Sequence, residues 1–231
     1  MLGGLLLSAA TPIALAQPGA PRSSVPAGGG PGKKDAYLEI QRLFDQAHQA
    51  SRTGRRGDAV APVEQAIALS ERLPAGHHKR VETLSQAGAL LWSVNQKELA
   101  EASLLAAVQQ IELSSQGVPP EISRTTFNML GVIYRDQRRH ADAIPWFQRA
   151  VDGSAALPET NPEETENKYF ALAYGLRSLA WAQCRADNAQ AANATDLRRV
   201  EACARLRRPA SVNECRDGKR TCVGRWMSQS H

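Results

Sequence analysis

Apolar and small residues recur along this chain at intervals of three and four, one hairpin after another. Leu43, Phe44 and Ala47 share one helical face, and after the turn Gly54 to Gly57 a second face is carried by Ala59, Val63, Ala66 and Ile67. Leu84, Ala87, Gly88 and Leu91 repeat the pattern, followed by the turn Asn95-Gln96-Lys97 and then Ala100, Leu104 and Ala107. A third unit runs through Phe127, Leu130, Gly131 and Tyr134, the polar turn Arg138-Arg139-His140, and Ala143, Phe147 and Ala150. A fourth has Leu176, Leu179 and Ala180, then Ala192. Residues three and four apart stack on one side of a helix, so the pattern predicts eight antiparallel helices and no strand in this region.

The ends of the elements carry their own signals. Asp35 is an expected N-cap for the first helix, and Pro62 falls in the first turns of the second, where proline is tolerated. Pro120 suits a first helical position. Asn161, Pro162 and Glu164 form a cap, an N1 proline and a capping box for a long helix from about Pro162 to Arg185.

The best-formed unit, residues 124–157, resembles a tetratricopeptide repeat (TPR). Phe127, Leu130, Gly131, Tyr134, Ala143, Phe147 and Ala155 occupy the family's signature offsets, and six of the seven hold an identical or similar residue. Ala155 stands where the family has Pro. The small residues Ala47, Gly88, Gly131 and Ala180 are spaced by 41, 43 and 49, longer than the usual period of about 34. The phrase Leu130 to Gln137 is similar to the longer repeats of the kinesin light chain type. The resemblance implies an all-α, right-handed superhelical solenoid of about four units over 35–207, with first helices lining a concave face. The fourth unit departs most, with polar Asp196 where Phe147 stands in the third, and is expected to act as a terminal cap.

The resemblance also implies a binding scaffold whose ligand is a protein or peptide in the concave groove. Candidate groove residues are Phe44, His48, Trp92, Asn128, Arg135, Tyr174, Arg177 and Trp181. Trp, Tyr and Arg dominate binding energy at interfaces, and Arg pairs carboxylates through a bidentate fork. The same aromatics are equally expected as packing between repeats. The family's carboxylate clamp needs Lys and Asn at positions held here by Phe44, His48, Thr125 and Met129, so capture of a C-terminal carboxylate by that clamp is not expected.

Outside the repeats the composition changes. Leu5 to Leu15 is a short apolar run ending in Ala14-Leu15-Ala16, an expected signal peptide over 1–16 and hence export to a periplasmic or secreted location. The run falls short of the ~20 apolar residues that span a bilayer. Residues 17–34 have the Pro- and Gly-rich composition of a disordered linker. The formal net charge of +5 is uneven: from Arg198 onward nine Lys/Arg face three acids, which leaves the rest of the chain near −1. The basic tail 208–231 supports an alternative function, binding of anionic surfaces or polymers with the repeats as spacer. A solvated face made by Arg198, Arg199, Arg205 and Arg208 explains the same charge. Nucleic acid is not an expected partner of an exported chain.

Reactive constellations are missing from the sequence. There is no G-x-S-x-G elbow, phosphate loop, HExxH or Cys-x-x-Cys motif, and His77-His78 point about 100° apart on a helix. No catalytic residue, cofactor or metal is expected. The acids Glu163, Glu164 and Glu166 read as helix capping. The four cysteines, Cys184, Cys203, Cys215 and Cys222, lie in the last fifth of the chain and read as disulfides in an exported protein. Pairing of Cys184 with Cys203 is opposed by the ~20 Å that separates them along the returning helix. Either Cys215 pairs with Cys222 across Asp217-Gly218, or the tail crosses back and takes Cys184 and Cys203 separately; the second is favoured.

Overall fold

The computed structural model describes residues 33–217. The expected leader, nearly all of the expected linker, and the tail from residue 218 with Cys222 lie outside the described residues. Within them the chain forms α1 (Lys33–Arg52), a 3-10 turn (Arg56–Ala59), α2 (Val60–Ser70), α3 (His78–Ser93), α4 (Lys97–Glu112), α5 (Pro120–Asp136), α6 (His140–Ala155), α7 (Pro162–Arg185), α8 (Ala189–Ala204) and α9 (Pro209–Asp217). No strand occurs among the described residues, and no helix there is long and apolar enough to cross a membrane. The helices pair as α1–α2, α3–α4, α5–α6 and α7–α8, and each hairpin packs on the next. The architecture is thus a helical-hairpin solenoid of four units, with a ninth helix in the segment expected as tail.

One local device closes all four hairpins. Gly54, Asn95, Arg138 and Asp187 have left-handed backbone, with φ of 79°, 67°, 62° and 58°. Each stands seven residues after the small residue of its unit (Ala47, Gly88, Gly131, Ala180). The following N–H reaches back to the carbonyl five residues earlier: Arg55 to Ala50, Gln96 to Leu91, Arg139 to Tyr134 and Asn188 to Gln183, at 2.8 to 3.0 Å. This is the Schellman closure, which satisfies helix-end carbonyls while reversing the chain. Only the first unit uses glycine; the other three accept roughly 1 kcal/mol each for a side chain in that region.

The small residues do what the spacing predicts. A Cβ on Gly131 would lie 2.6 Å from Phe147 Cδ1 and Cε1, so α5 and α6 touch there through backbone and ring. Ala47, Ala143 and Phe147 are fully buried in one continuous apolar cluster that runs through the four units. Units two and three are also joined by polar groups. The Ser85 and Thr126 hydroxyls share a buried hydrogen bond of 2.5 Å. On the second helices, Arg139 and Arg149 of the third unit reach Glu101 and Glu112 of α4. The same guanidiniums lie 4.2 and 4.0 Å over the rings of Tyr134 and Phe127, which flank Trp146 on either side at 6.4 Å.

At the C-terminal end the disulfide follows the favoured pairing, while two charged side chains depart from the sequence reading. Cys203 and Cys215 form a disulfide with Cα atoms 5.9 Å apart, tying α9 to α8. Cys184 is disulfide-bonded as well. The pairing therefore crosses back onto the fourth unit and is not the local Cys215–Cys222 bridge. Arg199, expected on a solvated face, is buried: its Nε pairs with Asp196 at 2.6 Å and its Nη1 donates to the Cys215 carbonyl at 2.9 Å. Glu166 is buried too, accepting from the backbone N–H of Arg207 and Arg208 at 2.9 and 3.2 Å, just before α9 begins. It caps a helix start 41 and 42 residues away, not its own. The local cap is made by Asn161, whose Oδ1 accepts from Glu164 N at 2.9 Å, while the Glu164 carboxylate takes Thr160 N at 3.0 Å.

Candidate functional site

α7 packs against α6, and the last turn of α5 meets the exposed register of α7 in one concavity. Four of the predicted groove residues line one open concavity of about 320 Å³: Arg135 from α5, and Tyr174, Arg177 and Trp181 from α7, with Ser178 between them. Tyr174, Arg177, Ser178 and Trp181 are three, one and three residues apart, the spacing that keeps a helical stripe on one face. The Ser178 Oγ donates to the Tyr174 carbonyl at 3.2 Å.

Cations and rings alternate across this surface. The Arg177 guanidinium lies 4.9 Å from the Tyr174 ring centre, and Arg135 and Arg185 lie 6.0 and 5.5 Å from the Trp181 ring on α7. His140, the first residue of α6, stands edge-on to Trp181 at 5.0 Å. Its Nδ1 is buried with no hydrogen-bond partner. Burial first, and then the charges of Arg185 and Arg138, pull its pKa below the ordinary imidazole value, so the neutral form is favoured. Arg135 is tied to the neighbouring Asp136 at 2.8 Å, which orients the guanidinium but leaves it about one-third exposed. Such a surface offers fixed guanidinium donors and aromatic faces. It suits carboxylates and apolar or cationic side chains and contains no nucleophile held against a base.

The remaining candidates are elsewhere or play other parts. Asn128, on α5, is half-buried and its Oδ1 has no partner. Trp92, on α3, packs partly against the core cluster, as Trp181 also does. His48 is exposed on α1 and lines a separate concavity with Asp45, Gln49, Arg52 and Thr53. Phe44 is a correction: it is buried in the core and presents nothing to the groove. A bulky apolar side chain in a half-exposed register leans inward, because burying it is worth about 1.5–3 kcal/mol. The sequence reading places His140 in the polar turn, whereas the structure brings its ring against Trp181. An imidazole at a helix start one turn-closure away from Arg135 is the signal that could have found it.

Residues 124–157 match the family model described as Tetratricopeptide repeat. Repeats of this type mediate protein–protein interaction. No curated protein matches the chain. Among solved structures, the chain is similar to BtubC (BKLC) from P. vanneervenii, with a TM-score of 0.61 and 20% identity over 74% of this chain and 65% of that one. It thus spans slightly less than two thirds of BtubC. It is also similar to the nearly identical TPR-like repeats of a putative kinesin light chain from Podosopora anserina, with a TM-score of 0.58 and 16% identity over 84% of this chain and 99% of that one. At such identities the likeness establishes the fold: TPR-like repeats of the kinesin light chain kind.

Proposed function

We propose that this TPR-like helical-repeat protein is a non-enzymatic scaffold, exported from the cytoplasm, that holds a peptide or protein segment on the concave surface between α5 and α7. The observation that carries the reading is the convergence of Arg135, Tyr174, Arg177 and Trp181 on one open concavity. Interface energy concentrates in such Trp, Tyr and Arg clusters. Export is supported by the apolar run and Ala14-Leu15-Ala16, and by the Cys203–Cys215 bond, a linkage that persists in oxidising compartments.

The test is affinity capture from an extract of the native compartment, comparing the wild-type chain with an Arg135→Ala/Trp181→Ala variant. Loss of the hot-spot ring alone is expected to cost about 2 kcal/mol or more, roughly thirtyfold in affinity. Retention should survive raised salt if the concave surface carries it, and collapse if binding runs through the basic tail. A captured partner set unchanged by the double variant refutes the groove.

A further inference from the structure

α8 exposes a face that the earlier repeats keep covered. Counted from the small residue that opens each second helix (Ala100, Ala143, Ala192), Val108, Val151 and Val200 hold one repeat position, and Leu105 and Leu197 hold another. Val108 and Val151 are 5% and 0% exposed. The following unit covers them: Val151 Cγ2 lies 3.2 Å from where a Cβ on Gly175 of α7 would stand. Leu105 packs against the same core. On α8 the equivalents are open, Val200 at 52% and Leu197 at 67%. The disulfide holds α9 beside Cys203 and Arg199, and it leaves both apolar residues uncovered.

With the exposed Asn193 and Ala204, these residues form a stripe spaced four, three and four. The spacing is symmetric about its centre. A two-fold axis between Leu197 and Val200 lays each Leu197 on the other copy's Val200 and each Asn193 on the other copy's Ala204, the self-complementarity that an isologous contact requires. At each end a short polar side chain meets a methyl group, so no bulk there holds the helix axes apart. The Asn193 amide sits at the rim, where water still reaches it, as polar groups at an interface edge do. The charges agree. Arg198 and Glu201 lie on one flank of the stripe, both exposed and neither in an ion pair among the described residues. The same axis brings each Glu201 within about 3 Å, measured along the helix, of Arg198 in the other copy.

We infer that this face is a homodimer interface, in which a second copy of this chain packs its α8 antiparallel against Leu197 and Val200. Sedimentation equilibrium of the full, oxidised chain tests it. The expected result is a concentration-dependent mass rising from 25.0 kDa to twice that value. Leu197→Glu should abolish the dimer while leaving far-UV circular dichroism unchanged, since Leu197 is exposed in the single copy. Arg198→Glu and Glu201→Arg should each weaken association by roughly tenfold, because each sets like charges against one another. The two combined in one chain should restore it. A chain that stays monomeric at all concentrations, a dimer indifferent to Leu197→Glu, or failure of the combined charge swap would each overturn the inference.

Discussion

Gly131→Ala tests the close approach of α5 and α6 on which the third unit depends. An alanine Cβ would fall 2.6 Å from Phe147 Cδ1 and Cε1 and 2.9 Å from Cγ. Carbon atoms sit comfortably at about 3.5–4.0 Å, so one helix must move by roughly 1 Å or the ring must turn. Phe147 is fully buried, so turning the ring means displacing packed neighbours. The substitution gains about 1 kcal/mol of helix propensity and costs about 1–3 kcal/mol of overpacking, a net loss of about 0–2 kcal/mol. Gly175→Ala is the control, since its Cβ would lie 3.2 Å from Val151 Cγ2. A few tenths of an ångström relieve that contact, and propensity offsets the cost to within roughly 0.5 kcal/mol. Urea unfolding followed by far-UV circular dichroism measures both. In a Phe147→Leu background the Gly131 substitution should become neutral or stabilising, the non-additivity expected of residues in contact. A wild-type background in which Gly131→Ala stabilises would refute the reasoning, because it would mean that the helices separate at no cost.

Three further outcomes follow from the structure. His140 is held neutral by burial and by Arg185 and Arg138; the unfolded chain takes up a proton that the folded one refuses, so stability should fall as pH drops below about 6.5, and His140→Gln should flatten that slope in unfolding curves. Burial pushes the Glu166 carboxyl up, but the N–H of Arg207, the Ser211 hydroxyl and then Arg208 outweigh it and hold it below the ordinary value. Its contribution is therefore present above pH ~4.5 and lost as pH falls through the lowered value, and Glu166→Ala should speed amide exchange at Arg207 and Arg208 in hydrogen-exchange mass spectrometry. The Cys203–Cys215 bond closes a segment with a sequence separation of 12, so a Cys203→Ser/Cys215→Ser variant should lose up to about 3 kcal/mol, and non-reducing peptide mapping of the wild type should recover the two peptides linked.

The fold was legible because its packing is local and periodic. Gly131 against Phe147, and Ala47, Gly88 and Ala180 in the other units, repeat a contact that spacing alone discloses. The clustering of Arg135, Tyr174, Arg177 and Trp181 was legible for the same reason, since a helical register fixes which residues share a face. Phe44 was misplaced because register gives the direction of a side chain, while its size and apolarity decide whether it bends back into the core. Glu166 and Arg199 were illegible. Their partners are the backbone groups of Arg207, Arg208 and Cys215, brought to them by a helix whose place is set by a covalent bond, and no local pattern announces such an arrangement.

Hairpins that reverse on single residues make this chain a row of links that can open one by one under load. Pulled from its ends, a unit of 41 to 49 residues pays out on the order of 150 Å of contour as it opens, at about 3.5 Å per residue. The last link behaves differently. The bond from Cys203 to Cys215 takes its 12-residue segment, about 40 Å of contour, out of the stretchable length. α9 is therefore a length stop as well as a cap: in an oxidising environment it stays drawn in against the fourth hairpin, and a dithiol that reduces the bond releases the segment it closes.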